Sequence, residues 1–332
     1  MYIIAEIGVN HNGDMEIARK LVDEAKKCGA DAVKFQMFNS KALVSKYAQK
    51  AEYQKKNTGE DSSQLEMLRK LELSPENYLS IRDYAVNKGL DVFSTGFDLE
   101  SNEFLHNNGQ KIWKVPSGEI TNLPYLRQIA SFLDSDSTVL ISTGMSTLEE
   151  VKCAVDVLDV KKCRIVILHC HTDYPTKDED VNLLAINDLK NTFPEYEIGL
   201  SDHSVGFVAP VMSVSLGVKV IEKHFTLDVN LPGPDHKASI MPDNLKVLCD
   251  SVRRAEHMLG DGIKHVTESE RKNIIVARKS IVAKCDIKSG DIFTEENITC
   301  KRPGNGISPM MWDEVIGKVS NRDYQEDELI TL

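Results

Sequence analysis

Short apolar runs alternate with amphipathic stretches along most of the chain. Residues 2–7, 31–38, 90–95, 111–115, 138–142, 163–169, 198–200 and 218–221 are apolar runs of strand length. Helical spacing or small packed side chains fill the intervals, as at 75–88, 99–107, 123–133, 183–193 and 207–216. Asp14 caps the helix that runs to Cys28, and Gly29 stops it. Thr147 and Glu150 make a capping box for another helix. A last helix spans about 242–259, closed by Gly260 and Gly262.

Strand–helix–strand order implies parallel strands. Eight such runs predict a (β/α)8 barrel, with a doubly wound sheet as the alternative. The polar clusters choose between them. They follow the first, second and fourth to eighth strands. A barrel brings all its strand ends around one mouth, whereas an open sheet does not. The polar segment from Asn39 to about Ser62 is too long for an ordinary connection and reads as a functional loop.

The texture changes after the barrel, assigned to 1–262. Residues 263–277 are polar and charged, a linker. Short β-like runs at 280–283, 287, 292–293 and 298–300 are separated by the turns KSGD and PGNG. They predict a compact, mostly β module at 278–332, with no long amphipathic helix. Such a module is too small to be very stable alone and should be docked.

Composition narrows the function. The chain has 332 residues, 41% of them hydrophobic, and a net charge of −11. That charge argues against a general nucleic-acid surface but allows a local basic pocket. A carboxylate is reached at Glu6, so no signal peptide is expected. No apolar run approaches the roughly 20 residues needed to cross a bilayer. The seven cysteines are odd in number and scattered, with no CxxC pair. They read as reduced thiols of a cytoplasmic protein, and Cys170 as a small buried filler.

Two runs carry the first chemical signal: IGLSDHSVG at 198–206 and IEKHFTL at 221–227. They place His203 and His224 at the same end of neighbouring strands, where two neutral imidazoles can share a divalent metal. A lone strand-end histidine is otherwise a structural hydrogen-bonder; Ser201, Asp202, Glu222 and Lys223 around this pair favour the metal. Lys34, Lys114, Thr95, Ser117, Ser142, Thr143 and Ser201 also fall at strand ends. Lysines, hydroxyls and glycine-flanked turns suit a phosphate or carboxylate. Lys34 and Gln36 share one strand face. Glu6, Glu119, Glu222 and Asp235 supply carboxylates for acid, base or hydroxyl-accepting work. Glu6 and Glu222 have a structural alternative, ion pairs with Lys34 or Lys223, and for Glu222 that is the expectation. The residues alone reach a metal-assisted lyase, aldolase or transferase acting on a phosphorylated or carboxylated small molecule.

Nine runs in order are more specific: IIAEIGVNHNGD, ADAVKFQMF, KVPSGEITNLPYL, ISTGMST, ILHCHTDYPT, IGLSDHSVG, IEKHFTL, GPDHKAS and KRPGNGISP. With them the chain resembles the bacterial sialic acid synthase family. Its members make N-acetylneuraminate or its relative legionaminate from phosphoenolpyruvate and an N-acetylated mannose. The resemblance implies a (β/α)8 TIM barrel followed by an antifreeze-like (SAF) domain. It also implies a domain-swapped homodimer whose small domain covers the partner's barrel mouth. It implies Mn²⁺, or Mg²⁺ or Co²⁺ in its place, on His203 and His224. Phosphoenolpyruvate contacts fall on Lys114, Ser117, Ser142, Ser201 and Thr95. Aminosugar contacts fall on Glu6, Lys34, Gln36, Tyr174 and Asp235. Glu119 falls near the reacting carbons, and Arg302 reaches the sugar's N-acetyl group from the other subunit. The implied reaction joins N-acetylmannosamine, phosphoenolpyruvate and water to N-acetylneuraminate and phosphate, with C–O cleavage. The alternative sugar is 2,4-diacetamido-2,4,6-trideoxymannose, giving legionaminate. The sequence departs from the family pattern at Gly96, Thr172 and Lys177, which bears on the sugar. A non-catalytic carbohydrate- or ice-binding protein is the reading from a different class.

Overall fold

A computed structural model describes residues 1–45, 47–58, 63–160 and 162–332. Part of the expected 39–62 loop, at 46 and 59–62, lies outside the described residues. The chain divides into two compact units, Met1–Gly260 and Asp261–Leu332.

The first unit is a (β/α)8 barrel. Its strands are β1 (Tyr2–Gly8), β2 (Ala32–Met37), β3 (Asp91–Gly96), β4 (Ile112–Val115), β5 (Thr138–Ser142), β6 (Arg164–Cys170), β7 (Glu197–Asp202) and β8 (Val220–His224). Helices α1 (Met15–Cys28), α5 (Pro75–Asn87), α6 (Leu99–Asn107), α7 (Leu123–Phe132), α8 (Leu148–Leu158), α9 (Ala185–Thr192), α10 (Val208–Ser215) and α11 (Pro242–Leu259) return the chain between and after the strands. The long polar segment is not structureless. It carries α2 (Ser40–Leu43) and α3 (Glu52–Thr58), and α4 (Gln64–Arg69) follows it.

Local chemistry sets the element ends. Asp14 accepts hydrogen bonds from the N–H groups of Glu16 and Ile17, and Gly29 ends α1 in the left-handed region. Thr147 and Glu150 form the expected reciprocal box at α8. Strand parity then sorts the side chains. Ile3, Ala5 and Ile7 point outward against the helices, in the large core with Val33, Phe35 and Ile167. Ile4, Ala32, Phe93, Leu140, Val166, Leu168 and Val220 point inward and fill the barrel. Burying each large side chain of this kind contributes about 1.5–3 kcal/mol.

The strands pair in the order β3-β2-β1-β8-β7-β6-β5-β4. Side chains bridge the remaining seam between β3 and β4. The Gln110 amide accepts from the Ser94 N–H at 2.8 Å and donates to the Ser94 carbonyl at 3.0 Å. Higher up, the Tyr125 hydroxyl donates to the Gly96 carbonyl at 2.7 Å. These two residues hold the β3 and β4 ends, and so Thr95 and Lys114, at a fixed separation.

The second unit opens with α12 (Glu268–Ala277), a helix within the segment read as linker. Its cause is local: Thr267 and Glu270 form a capping box. Strands β9 (Ser280–Ala283) and β10 (Ile298–Lys301) pair antiparallel. Isolated bridges join 287 to 324 and 292 to 319, and α13 (Trp312–Val315) is a single turn. Ile281, Ile287, Phe293, Ile298, Val315, Tyr324 and Ile330 make a small separate core.

Candidate active site

The inward positions at the top of the barrel are polar. β1, β2 and β8 are in register so that Glu6 lies beside both Lys34 and His224. β7 and β8 set Ser201 beside Glu222. The result is one buried charge network. Lys34 Nζ is 2.7 Å from Glu6 and 3.7 Å from Glu222. Lys114 Nζ is 3.3 Å from the other oxygen of Glu222, to which Ser201 donates at 2.9 Å. Thr95 Oγ1 accepts from Lys34 at 3.2 Å. Gln36 donates to Glu6 at 3.0 Å. Gly8 is required here: its φ is +54°, and a Cβ would stand 3.1 Å from both Gln36 Nε2 and Glu6 Oε1.

Of the two lysines the sequence offered as its ion-pair partners, Glu222 meets Lys34 and not Lys223. Neighbours on a strand point to opposite faces. Lys223 points outward and pairs with Asp202 at 2.6 Å, with a further hydrogen bond to the Ser204 carbonyl. That buried pair locks β7 to β8 on the far side of the sheet from the site. Asp202 and Lys223 are therefore supports for the histidine strands and do not line the mouth.

Burial pushes the Glu222 carboxyl up, but Lys114 and then Lys34 outweigh it and hold it at about 2. Burial pulls Lys34 down, and Glu222 and Glu6 more than restore it, so it stays cationic. Glu6 is raised, because burial outweighs Lys34. Asp235 is pushed up to about 6 by burial, with Glu6 adding to it.

The imidazoles of His203 and His224 lie together, ring centroids 5.2 Å apart and planes tilted 55°. His203 Nδ1 bonds the His171 carbonyl at 2.5 Å, which fixes that nitrogen as the donor and leaves Nε2 as the one able to take a cation. Burial pulls the His203 pKa down, but Cys170 and then the His171 carbonyl more than restore it, so it is raised. Burial, then His203, hold His224 well below its ordinary range, so it is neutral. His224 Nδ1 is buried without a partner among the described residues. A neutral His224 with an orphaned nitrogen, this close to the His203 ring, fits a first-row divalent cation with bonds of about 2 Å, which would displace any proton on the facing nitrogen of His203. Among the described residues no group of three His, Cys, Asp or Glu side chains is arranged around a metal. Water or substrate would complete the coordination, which is what a Lewis acid needs.

Anion-binding groups sit across the mouth. Ser142 Oγ is buried and has no hydrogen-bond partner among the described residues. Ser117 Oγ accepts from the Gly144 N–H at 3.0 Å and lies 3.6 Å from Cys170 Sγ. A Cβ on Gly144 would stand 2.5 Å from Thr172 Cγ2, so glycine lets these two loops meet. Glu119 is half-buried at the rim, where Asn122 donates to it at 2.6 Å. Burial raises its pKa, opposed by that hydrogen bond. Tyr174 lies over His203 at 4.1 Å and edge-on to His224 at 5.7 Å. Asp235 is buried in the turn after β8. Arg302 is exposed in the second unit, where its Nε donates to the Ala277 carbonyl at 3.0 Å. Ser280 holds the turn beyond it, donating to Pro303 O at 2.6 Å and accepting from the Gly306 N–H at 2.8 Å.

Three features escape a reading of the sequence. Gln110 and Tyr125 close the seam, and only the polar-in-apolar position of Gln110 before β4 hints at it. Tyr53, inside the polar segment, lies 5.1 Å from the Tyr174 ring. Its one signal is its aromatic ring, which it shares with Tyr47 in the same segment.

The fold and site define a class: a TIM-barrel enzyme whose mouth gathers two lysines, hydroxyls and a pair of metal-ready histidines for an anionic substrate. Residues 21–264 match the NeuB family and 278–332 match the SAF domain. The chain belongs to the NeuB family, whose synthases are phosphoenolpyruvate-utilising condensing enzymes. It is 50% identical to the N,N'-diacetyllegionaminic acid synthase of Campylobacter jejuni, over 99% of this chain and 98% of that protein. The Legionella pneumophila protein of the same name is 44% identical, over 95% and 89%. The solved N-acetylneuraminic acid synthetase of Leptospira borgpetersenii, in complex with citrate, matches with a TM-score of 0.71 and 33% identity, over 82% of this chain and 90% of that one.

Proposed function

We propose that this chain condenses phosphoenolpyruvate with the open-chain aldehyde of an N-acylated mannose and with water, releasing phosphate by C–O cleavage. The similarity to the two legionaminic acid synthases supports 2,4-diacetamido-2,4,6-trideoxymannose as the sugar. N-Acetylmannosamine, giving N-acetylneuraminate, is the second reading, supported by the Leptospira structure.

The observation that carries the proposal is Glu222 shared by Lys34 and Lys114 beside the imidazole pair. Both lysine side chains are buried and share this one carboxylate, so they receive a dense anion well. Lys114, Ser117, Ser142, Ser201 and Thr95 bind the phosphate and carboxylate of phosphoenolpyruvate. Glu6, Lys34, Gln36, Tyr174 and Asp235 hold the sugar hydroxyls and its acylamino group. This alignment brings the nucleophilic methylene carbon against the aldehyde carbon. A divalent cation on His203 and His224, which we take to be Mn²⁺ in the cell, supplies Lewis-acid polarisation of the aldehyde oxygen. As the new C–C bond forms, positive charge develops at the carbon bearing the phosphate. Glu119 orients or deprotonates the water that adds there. Loss of phosphate from the resulting tetrahedral carbon breaks the C–O bond, and Lys114 stabilises the departing charge.

The reading extends to a cytoplasmic homodimer in which Arg302 of each subunit serves the other's barrel. No described helix is long and apolar enough to cross a membrane. The test uses phosphoenolpyruvate labelled with ¹⁸O at the bridging oxygen. Phosphate should appear only when an acylated mannose and metal are present, and it should carry the label. Label retained in the sugar acid would refute the mechanism.

A further inference from the structure

The polar segment after β2 does more than connect. Helix α3 reaches the loops that follow β6 and β8. Asn57 Nδ2 donates to the Pro234 carbonyl at 2.7 Å, one residue before Asp235. The Tyr53 ring stands 5.1 Å from the Tyr174 ring, at 31°. Tyr174 in turn lies on His203. The helix is tied to α4 through the Gln64 amide on Gln54 and the Thr58 hydroxyl near the Met67 sulfur. An aromatic column thus runs from α3, through Tyr174, to the metal-ready histidines. The Asn57–Pro234 and Tyr53–Tyr174 contacts set α3 on the Asp235 side of the mouth, and burial, then the Asp235 carboxylate, push the Tyr53 hydroxyl up.

We propose that Tyr53 is a specificity-determining residue for the aminosugar, forming with Tyr174 an aromatic wall for the sugar's apolar substituents. This rests on the functional reading above. The candidate phosphoenolpyruvate groups Lys114, Ser117 and Ser142 stand on or after β4 and β5. Tyr53 instead meets the loops carrying Tyr174 and Asp235, the sugar side. Acyl methyl groups and a C6 methyl are apolar and gain from leaving water against a ring. A C6 hydroxyl gains nothing there. The wall therefore favours the diacetamido trideoxy sugar over N-acetylmannosamine. A pocket discriminates by one such group about 10- to 200-fold.

The test measures kcat and KM for both sugars, and their ratio in competition by product mass spectrometry. Wild type, Tyr53→Ala and Tyr53→Phe are compared, each loaded with Mn²⁺. Tyr53→Ala should raise KM for the trideoxy sugar and shift the kcat/KM ratio of the two sugars about 10-fold towards N-acetylmannosamine. The KM for phosphoenolpyruvate should stay within about twofold, reporting an intact barrel. Tyr53→Phe should keep the wild-type ratio, because the wall is the ring. An unchanged ratio in Tyr53→Ala overturns the inference. So does a Tyr53→Phe variant shifted as far as Tyr53→Ala, since the hydroxyl would then be responsible. A wild type that turns over neither sugar overturns the functional reading itself, and this inference with it.

Discussion

Lys114 Nζ lies 3.3 Å from the Glu222 carboxylate, and both side chains are buried. A third charge, Lys34, reaches the same carboxylate. Glu222 balances only part of the lysines' charge before any substrate arrives and leaves both able to take up an anion.

Glu222→Gln should therefore leave Lys34 with Glu6 and Lys114 with no ion pair among the described residues. Removing one partner of a buried ion pair costs about 3–5 kcal/mol. The barrel's melting temperature should fall by roughly 6–10 °C at pH 7. Added inorganic phosphate should recover more of the loss in the variant than it adds to wild type. Because Glu222 is held at about 2 against an ordinary 4.5, its contribution is fully present above pH 4.5 and fades as pH falls towards 2. The gap between variant and wild type should close over that window. Melting curves across pH, with and without phosphate, check both points.

His203→Ala and His224→Ala should abolish turnover while the far-ultraviolet circular dichroism stays that of wild type. Calorimetric titration should show Mn²⁺ binding to wild type and none to either variant. Chelator treatment should silence the wild type, and Mn²⁺ should restore it. Full activity in metal-free buffer would sink the assignment.

Asp235 behaves with the opposite sign to Glu222. Its pKa rises from 3.8 to about 6 on folding, so the folded state holds the proton more tightly. Stability from this group falls as pH climbs from about 4 to 6, and the full penalty persists above that. The shift corresponds to on the order of 3 kcal/mol. Asp235→Asn should stabilise the substrate-free protein at pH 7–8 by up to that amount, and by nothing near pH 4. The same variant should lose affinity for the aminosugar. Equal melting temperatures at pH 7.5 would show that Asp235 is not held under this strain.

Arg302 is exposed and makes no ion pair among the described residues, as the donated side chain of a shared site requires. His203→Ala and Arg302→Ala should each be inactive alone. Mixed and allowed to exchange subunits, they form some dimers with one intact barrel facing one intact tail, and activity should partly return. A mixture that stays inactive despite proven exchange places Arg302 in its own chain's site or in none.

Much of this protein is legible along the chain. Apolar runs of strand length, the Asp14 and Thr147 caps and Gly29 set the elements, because caps and periodicity are local properties of the backbone. The polar ends of those runs place Glu6, Lys34, Lys114, Ser142, His203 and His224 at one mouth, because a parallel barrel aligns all its strand ends. Partners are another matter. Glu222 sits next to Lys223 in sequence yet pairs with Lys34 and Lys114, far away on β2 and β4. Strand parity turns Lys223 outward to Asp202, and only closure of the barrel brings the other two lysines inward. Gln110 acquires its role from a seam where β3 and β4 come together without a backbone ladder. Tyr53 has no periodic neighbours to announce it. Its place against Tyr174 depends on where α3 settles, and that is decided by long-range contacts with the loops after β6 and β8, since a short polar helix has no preferred partner of its own.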